Sequence, residues 1–599
     1  MPATERTRVG LAVVALLMLT AGLFYYSVQI RAPWRGALAA GHHQWLSGST
    51  VKFARNWYAE GATTLEFLML ELPRSVEFPT LESRQPYLSY PPGAVIPLYL
   101  VSKLRGKEPT PARLMAFNLA NHFLVALILA LTVLCFLRRL GAGMGGAFGL
   151  ATIPVLSELL LPGPLYWHQN VYFSDQAVIL PFASIVFLEV LRDQAHMRSG
   201  RLLLGAAQVC ILFLGMLTDW LFAFVSLAVY VKRLVHGELG KTVRAFVWAS
   251  ARFWFPVALA LALFACQLVR YNGLDHLARI FLFRAGLDQV GAEYAQPFSA
   301  VFWRQYIPTA YGAWAMTLLW GSLALVVLTA MYALMQRVCA RPIDPRVSRT
   351  ASLMGMLLTP CFLQVYAMQN HSAIHDFSTL KFSLPFATLP FVLAPVLVAA
   401  FFDIDLTRIG VACRGLVRAE SLRGTDRRRQ MPVAVVLLVL VAIVYTTREH
   451  PRFRELFPQP HPEFAALGEF LHKETEYRDI VFSPTIEIKG APPQQLAYAM
   501  KMVYLADSVA SIRQKLDALG DADYVVDIVM PRNEEIAAPD VRELTAAAYD
   551  IRETEGYRLY KVSRAEFMRQ VEGQRLAWKR VTPGEIGGSG WPSVHGRHE

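Results

Sequence analysis

Asp175 stands at the end of the run Tyr166-Trp167-His168-Gln169-Asn170-Val171-Tyr172-Phe173-Ser174-Asp175, directly ahead of a long apolar stretch. A carboxylate there faces the partial positive charge of a helix N-terminus. Beside lipid an ionisable group is costly enough to mark function by default, and a carboxylate can take the proton of an attacking hydroxyl. The competing reading is a plain helix cap by Ser174 or Asp175. His42 and His43, in Gly41-His42-His43-Gln44-Trp45, are a second source of a base, because imidazole titrates near neutrality. Asp219, in Thr218-Asp219-Trp220, interrupts the apolar run 202–231 and reads equally as a site residue or a polar turn. Arg270, Arg279, Arg284 and Arg304 occur among Tyr and Trp. Guanidinium groups grip phosphate in bidentate fashion, so this loop suits either a lipid phosphate or pyrophosphate, or anionic headgroups. His371 and His375 are spaced i,i+4 beside Asp376. That spacing permits a metal pair, but without a third clear ligand interfacial hydrogen bonding is the better reading, and no residue is assigned to a metal.

The elements that must position these groups are membrane spans. The chain of 599 residues is 54% hydrophobic and only 17% charged, below the roughly 25% of soluble domains. Apolar runs of spanning length fall at 9–30, 113–137, 142–161, 175–191, 202–218, 219–231, 247–269, 311–335, 351–368, 382–402 and 431–446. With Arg6 and Arg8 inside, the alternate turns carry Arg138-Arg139, Arg192/Arg198/Arg201, Lys232/Arg233/Lys241/Arg244 and Arg337/Arg341/Arg346/Arg349. The segment 403–430 follows, with seven Arg against four acids. This is the positive-inside pattern. It accounts for the net charge of +12 without nucleic acid and puts the N-terminus in the cytoplasm and the C-terminus outside. The first span is too long for a cleaved signal peptide. Residues 94–102 are too short to span and read as a helix at the outer interface. The six cysteines lie in spans or on the basic side, and no disulfide framework is implied.

The outer side is unusual. Residues 31–112 form a long first loop, where 49–60 places Val51, Phe53/Ala54 and Trp57/Tyr58 on one face, as in an amphipathic interfacial helix. Residues 449–570 have a soluble composition with strands at 479–482, 502–505 and 524–529, helices at 509–519 and 540–548, and strands within 549–562. Such alternation predicts a small α/β domain, with 571–599 a disordered tail. Asp521-Ala522-Asp523 reads as a turn.

The order of these features resembles the GT-C fold glycosyltransferases, specifically the protein O-mannosyltransferase and aminoarabinose-transferase-like group. The shared pattern is a first span followed by a long outer loop, the segment Ala54-Arg55-Asn56-Trp57…Gly61, then Tyr90-Pro91-Pro92-Gly93, a span ending in Arg-Arg, and Asp175 at the outer start of the fourth span. The resemblance covers about 1–450. It implies a GT-C-like bundle of about 11 spans over 1–448, in a bacterial inner membrane, with the soluble domain in the periplasm. It also implies transfer, with inversion, of a sugar from a polyprenyl-phosphate-linked donor to a glycan, lipid or protein acceptor at the outer face. Asp175 is then the expected catalytic carboxylate. Arg55, Trp57, Tyr90, Pro91, Pro92, Asp219, His371 and His375 are expected to bind substrate, and Arg270, Arg279, Arg284, Arg304 and Lys381 to hold the leaving phosphate. A divalent metal cofactor has no convincing ligand set. Asp403-Ile404-Asp405 looks like a sugar-transferase DxD motif but falls on the cytoplasmic side, opposite the other candidates. The sequence departs from the family where an acid is expected early in the first outer loop, which here reads His42-His43-Gln44-Trp45. Either histidine replaces the acid, or Asp175 acts alone, or transfer has been lost. A transporter or flippase of lipid-linked sugars, and a non-catalytic glycan-binding or assembly relative, are the other two readings. Clustering of polar groups at the outer span ends counts against the transporter.

Overall fold

The computed structural model describes residues 3–38, 42–194, 198–290, 298–312, 315–401, 462–488 and 496–580. The expected span at 431–446 and the Asp403/Asp405 pair lie outside them. Two compact units divide the chain, Met1–Glu71 with Gln85–Pro462 and Leu72–Arg84 with Glu463–Glu599.

The first unit is a helical bundle. Eight of its described helices are long and apolar enough to cross a membrane, which makes the chain a multi-pass membrane protein. A ninth span results if the pair Met144–Leu160 and Pro162–Asn170, bent by 58°, is counted as one. The bend has a local cause: Pro162 has no N–H to give, and Leu161 before it is forced into extended geometry (φ −71°, ψ 143°). The segment expected to span at 219–231 is a helix, Leu221–Val235, of only 15 residues. It is shorter than a full crossing because Asp219 ends the apolar pattern on one side and Lys232-Arg233 end it on the other. Residues 94–102 become a 3-10 turn and the ten-residue helix Ile96–Arg105, closed by Gly106 in the left-handed region, and are again too short to span.

Helix Pro111–Arg139 shows how the bundle is held. Thr110 caps it by accepting from the Arg113 amide at 3.2 Å, and Pro111 takes the first helical position. At its other end Arg138 reaches Glu5 at 2.5 Å and Arg139 pairs with Asp193.

The helix expected to lie amphipathically in the first outer loop is observed as His42–Glu60, but with a different environment. Apart from Trp45, every residue from His43 to Trp57 is buried, on all sides of the helix. Its polar side chains are satisfied by protein instead of water. Ser47 donates to the Asn170 carbonyl at 2.8 Å, Thr50 to that of Tyr172 at 2.9 Å and Trp57 to that of Leu68 at 2.7 Å. Lys52 pairs with Glu71 at 2.5 Å. Periodicity alone missed this because each hydroxyl, amide and ammonium looked like a water-facing group.

The second unit is the expected α/β domain. β1 (Asp479–Ser483), β2 (Val503–Leu505), β3 (Val525–Pro531), β4 (Asp550–Glu553) and β5 (Tyr557–Ser563) form one sheet in the order β2-β1-β3-β5-β4. β1 lies parallel to β2 and β3, whereas β5 runs antiparallel to β3 and β4. Helices Val509–Leu516 and Pro539–Ala546 cover one face over Ile480, Phe482, Val526 and Ile528. Lys561 satisfies two buried carboxylates, Asp479 at 2.5 Å and Asp527 at 3.2 Å. Two boundaries differ from expectation. Leu72–Arg84, inside the first loop, belongs to this unit, with Glu77 accepting from the Tyr504 hydroxyl at 2.5 Å and pairing with Lys515 at 3.2 Å. Helix Arg564–Arg580 also continues ten residues into the stretch expected to be a tail, anchored by buried Phe567 and Val571.

Candidate active site

Asp175 does not cap its helix. The buried amide at that end, Phe173 N–H, donates instead to the Gln176 side chain at 3.0 Å. The Asp175 carboxylate is buried, and its Oδ1 has no hydrogen-bond partner among the described residues. It faces His371 Nε2 at 3.6 Å and Lys381 Nζ at 4.0 Å. Oδ1 is thus held beside two nitrogens at 3.6 and 4.0 Å, longer than a direct hydrogen bond, which leaves it room to accept from a ligand.

Asp219 joins the same cluster. It accepts from the Leu221 amide at 2.6 Å, closing the break between two helices, and from the Gln364 side-chain amide at 3.1 Å. The Gln364 carbonyl in turn accepts from Lys381. Gln364 therefore ties Asp219 to Lys381 and fixes the ammonium beside Asp175. Asp219 thus closes the polar turn between the two helices and stands in the same cluster as Asp175.

The Tyr90-Pro91-Pro92-Gly93 motif positions this region through its backbone. Pro92 opens the turn Pro92–Ala94, and the Gly93 amide donates to the Leu217 carbonyl at 2.7 Å. A Cβ on Gly93 would stand 2.4 Å from that oxygen and 2.8 Å from the Thr218 nitrogen, so only glycine admits this approach. Gly93→Ala is expected to push apart the Leu217–Asp219 turn, costing about 1–3 kcal/mol of stability. A thermal shift indistinguishable from wild type in the purified protein would show that the approach is not needed.

Of the four loop arginines, one converges. Arg284 lies 4.5 Å over the Tyr90 ring. Burial alone would depress its guanidinium, but Tyr90, Tyr87 and Asp175 outweigh that and hold it above the ordinary arginine value. Asn370 fixes the neighbouring backbone by donating to the Phe283 carbonyl at 2.9 Å. The other three do not join. Arg270 is mostly exposed and pairs with Glu66 at 2.6 Å, and Arg279 and Arg304 are exposed. Their exposure separates them from the buried cluster, which spacing along a loop does not reveal. Arg55 and Trp57 serve the framework: Arg55 donates to the Pro109 carbonyl at 2.8 Å and pairs with Glu108 at 3.3 Å. Pro91 acts only by shaping the turn.

His371, His375 and His42 form a chain of ring contacts, edge-to-face at the first step and stacked at the second. His371 meets His375 at 4.4 Å, His375 stacks on His42 at 4.6 Å, and His42 stacks on Trp45 at 5.6 Å. Burial holds both His371 and His375 below the ordinary histidine value, so both are neutral near pH 7. His43 stands apart: its Nε2 lies 2.9 Å from Asp376 and its Nδ1 3.5 Å from the Tyr166 hydroxyl. His43 thus has a carboxylate orienter and His42 has none. Asp376 enters the sequence reading only as a neighbour of the His371/His375 pair, and Gln364, Tyr87 and Tyr166 are not among its site residues. A glutamine inside the apolar helix Pro345–Ala367 was the signal available for one of them.

These donors do not suit a divalent ion at Asp175, because a lysine ammonium already faces the carboxylate. Elsewhere His122, Glu158 and His168 bring donor atoms within 4.8 Å of one another. There both His122 nitrogens are engaged, Nδ1 by Arg31 at 3.0 Å and Nε2 by the Glu158 carbonyl at 2.7 Å. That leaves His122 no lone pair for a metal.

No protein-family model matches the chain, and no curated protein matches it. Among solved structures it is similar to the Archaeoglobus fulgidus oligosaccharyltransferase in the apo form, at 12% identity and a TM-score of 0.49, over 87% of this chain and 69% of that one. It is also similar to ArnT from Cupriavidus metallidurans bound to undecaprenyl phosphate, at 11% identity and a TM-score of 0.46, over 94% of this chain and 99% of that one.

Proposed function

We propose that the chain is a membrane glycosyltransferase that moves a sugar from a polyprenyl-phosphate carrier to an acceptor hydroxyl or amine. One observation carries this reading: Asp175, Lys381 and Arg284 converge in a single buried cluster walled by Tyr87, Tyr90, Trp45 and Phe173. A base, two cations and an aromatic wall are the groups that glycosyl transfer from a lipid phosphate requires. Asp175 takes the acceptor proton while the acceptor atom attacks the anomeric carbon from the face opposite the leaving group. The bond from that carbon to the phosphate oxygen breaks with inversion, and the oxygen keeps the electron pair. Arg284 and Lys381 stabilise the phosphate charge that develops. The aromatic wall stacks against the sugar ring or the first isoprene units.

His43, oriented by Asp376, stands where the first-loop acid would be. It is the group we assign to positioning the acceptor, with Asp175 as the base. The basic turns support a reading in which the cluster faces the extracytoplasmic side of a bacterial inner membrane, with the N-terminus in the cytoplasm and the C-terminal domain outside. The acceptor is a glycan, a lipid or a protein.

The test is release of undecaprenyl phosphate from sugar-loaded undecaprenyl phosphates by the purified protein in nanodiscs. Arg284→Ala is expected to slow release by about 10²–10³-fold, the usual cost of losing one charge-stabilising donor. An Arg284→Ala rate equal to wild type would remove the phosphate assignment.

A further inference from the structure

A second charged cavity lies at the opposite end of the bundle. The span Ser174–Arg192 has Asp175 at its start and Glu189 near its finish, and its 19 residues separate the two ends by about 28 Å. At the far end a cavity of about 250 Å³ opens between the last turns of helices Pro111–Arg139, Ile179–Arg192 and Leu221–Val235 and the first turns of Pro345–Ala367. It has room for about eight waters.

Its wall is a fixed lattice of ion pairs. Lys232 Nζ meets Glu189 at 3.2 Å, Asp193 at 2.8 Å and Glu238 at 2.7 Å. Glu189 is also held by Arg233, and Asp193 by Arg139. Three carboxylates are thus matched by three cations. Arg349 lines the same cavity and has no ion pair among the described residues. His236 beside it bonds the Ser352 hydroxyl at 2.6 Å, and Arg192 approaches Glu189 only to 4.0 Å. On the wall itself Glu189, Asp193 and Glu238 balance Arg139, Lys232 and Arg349, and Arg233 and Arg192, held against Glu189 behind it, make the surroundings net positive. Glu189 and Lys232 are buried, so their charges are costly to assemble, and a wall of ion pairs cannot collapse to fill the space as apolar side chains would.

We infer that this cavity binds a phosphate-bearing anion, with the Arg349 guanidinium as its main ligand. A planar guanidinium at the rim of a polar cavity suits two phosphate oxygens at once. The phosphate belongs either to the headgroup of an anionic lipid in the leaflet at this end or to a soluble phosphate. The cavity is remote from Asp175 and does not depend on the transferase reading.

The test uses the full chain in detergent and in nanodiscs. Native mass spectrometry measures retention of phosphatidylglycerol against net-neutral phosphatidylcholine, and thermal shift measures the response to inorganic phosphate. Wild type is expected to retain phosphatidylglycerol preferentially, with at least a tenfold loss in Arg349→Glu and a smaller loss in His236→Gln. Both positions are at least partly exposed, so both variants should fold, and an unchanged melting temperature checks this. Stabilisation by inorganic phosphate that depends on Arg349 names the soluble source, and retention of lipid unaffected by phosphate names the headgroup. Equal binding by wild type and both variants, or no anion binding by wild type, overturns the proposal.

Discussion

Asp175→Asn is expected to lower sugar transfer by about 10²–10⁴-fold, the contribution of a positioned general base, while leaving the fold intact. Asparagine keeps the volume of the side chain, and no hydrogen bond of the Oδ1 atom is lost because the native structure makes none. The amide cannot take a proton from the acceptor, so the loss should appear in the rate of the chemical step and not in donor binding. Single-turnover transfer with donor in excess of its dissociation constant separates these. A rate within threefold of wild type would make Asp175 a structural residue and move the base to His43.

The largest stability effect is expected far from that carboxylate, at Lys52. Its side chain is fully buried in helix His42–Glu60, 2.5 Å from Glu71, and burial holds the ammonium below the ordinary lysine value despite the carboxylate beside it. Lys52→Met leaves Glu71 without its cation and should cost about 3–5 kcal/mol. Replacing both partners, Lys52→Met with Glu71→Leu, should recover much of that loss, because a buried pair exchanged for apolar groups is often neutral. Thermal unfolding of the two variants decides the point. A single variant within 1 kcal/mol of wild type would mean that water reaches Glu71 in the folded protein.

Much of this architecture was legible from residue patterns. Apolar length and basic turns located the spans, because lipid leaves few other solutions. The strands and helices of the C-terminal domain followed from short-range alternation, and the three strands given individual bounds start within one residue of the predicted positions. Asp175, Asp219, Tyr90, Arg284, His371, His375 and Lys381, all marked as candidates, converge in space. What escaped depended on long-range contact. Helix His42–Glu60 looked amphipathic because the carbonyls that take its hydroxyls and amides come from segments up to about 120 residues away. Leu72–Arg84 joins a domain nearly 400 residues downstream through Glu77 and Tyr504, which no local pattern encodes. Arg270, Arg279 and Arg304 share a loop and a chemistry with Arg284, and only packing against Tyr90 singles out Arg284. The His43–Asp376 pair brings a carboxylate to the first-loop histidine from 333 residues away.

The central claim is that Asp175 drives transfer from a lipid-linked sugar, and it is tested most directly by mass spectrometry of polyprenyl-phosphate sugars in intact membranes. Cells lacking this gene are compared with cells carrying wild type or Asp175→Asn. A polyprenyl-phosphate sugar should accumulate in the deletion, be cleared by wild type, and persist with Asp175→Asn. No change in any lipid-linked sugar, or equal clearance by wild type and Asp175→Asn, would contradict the account.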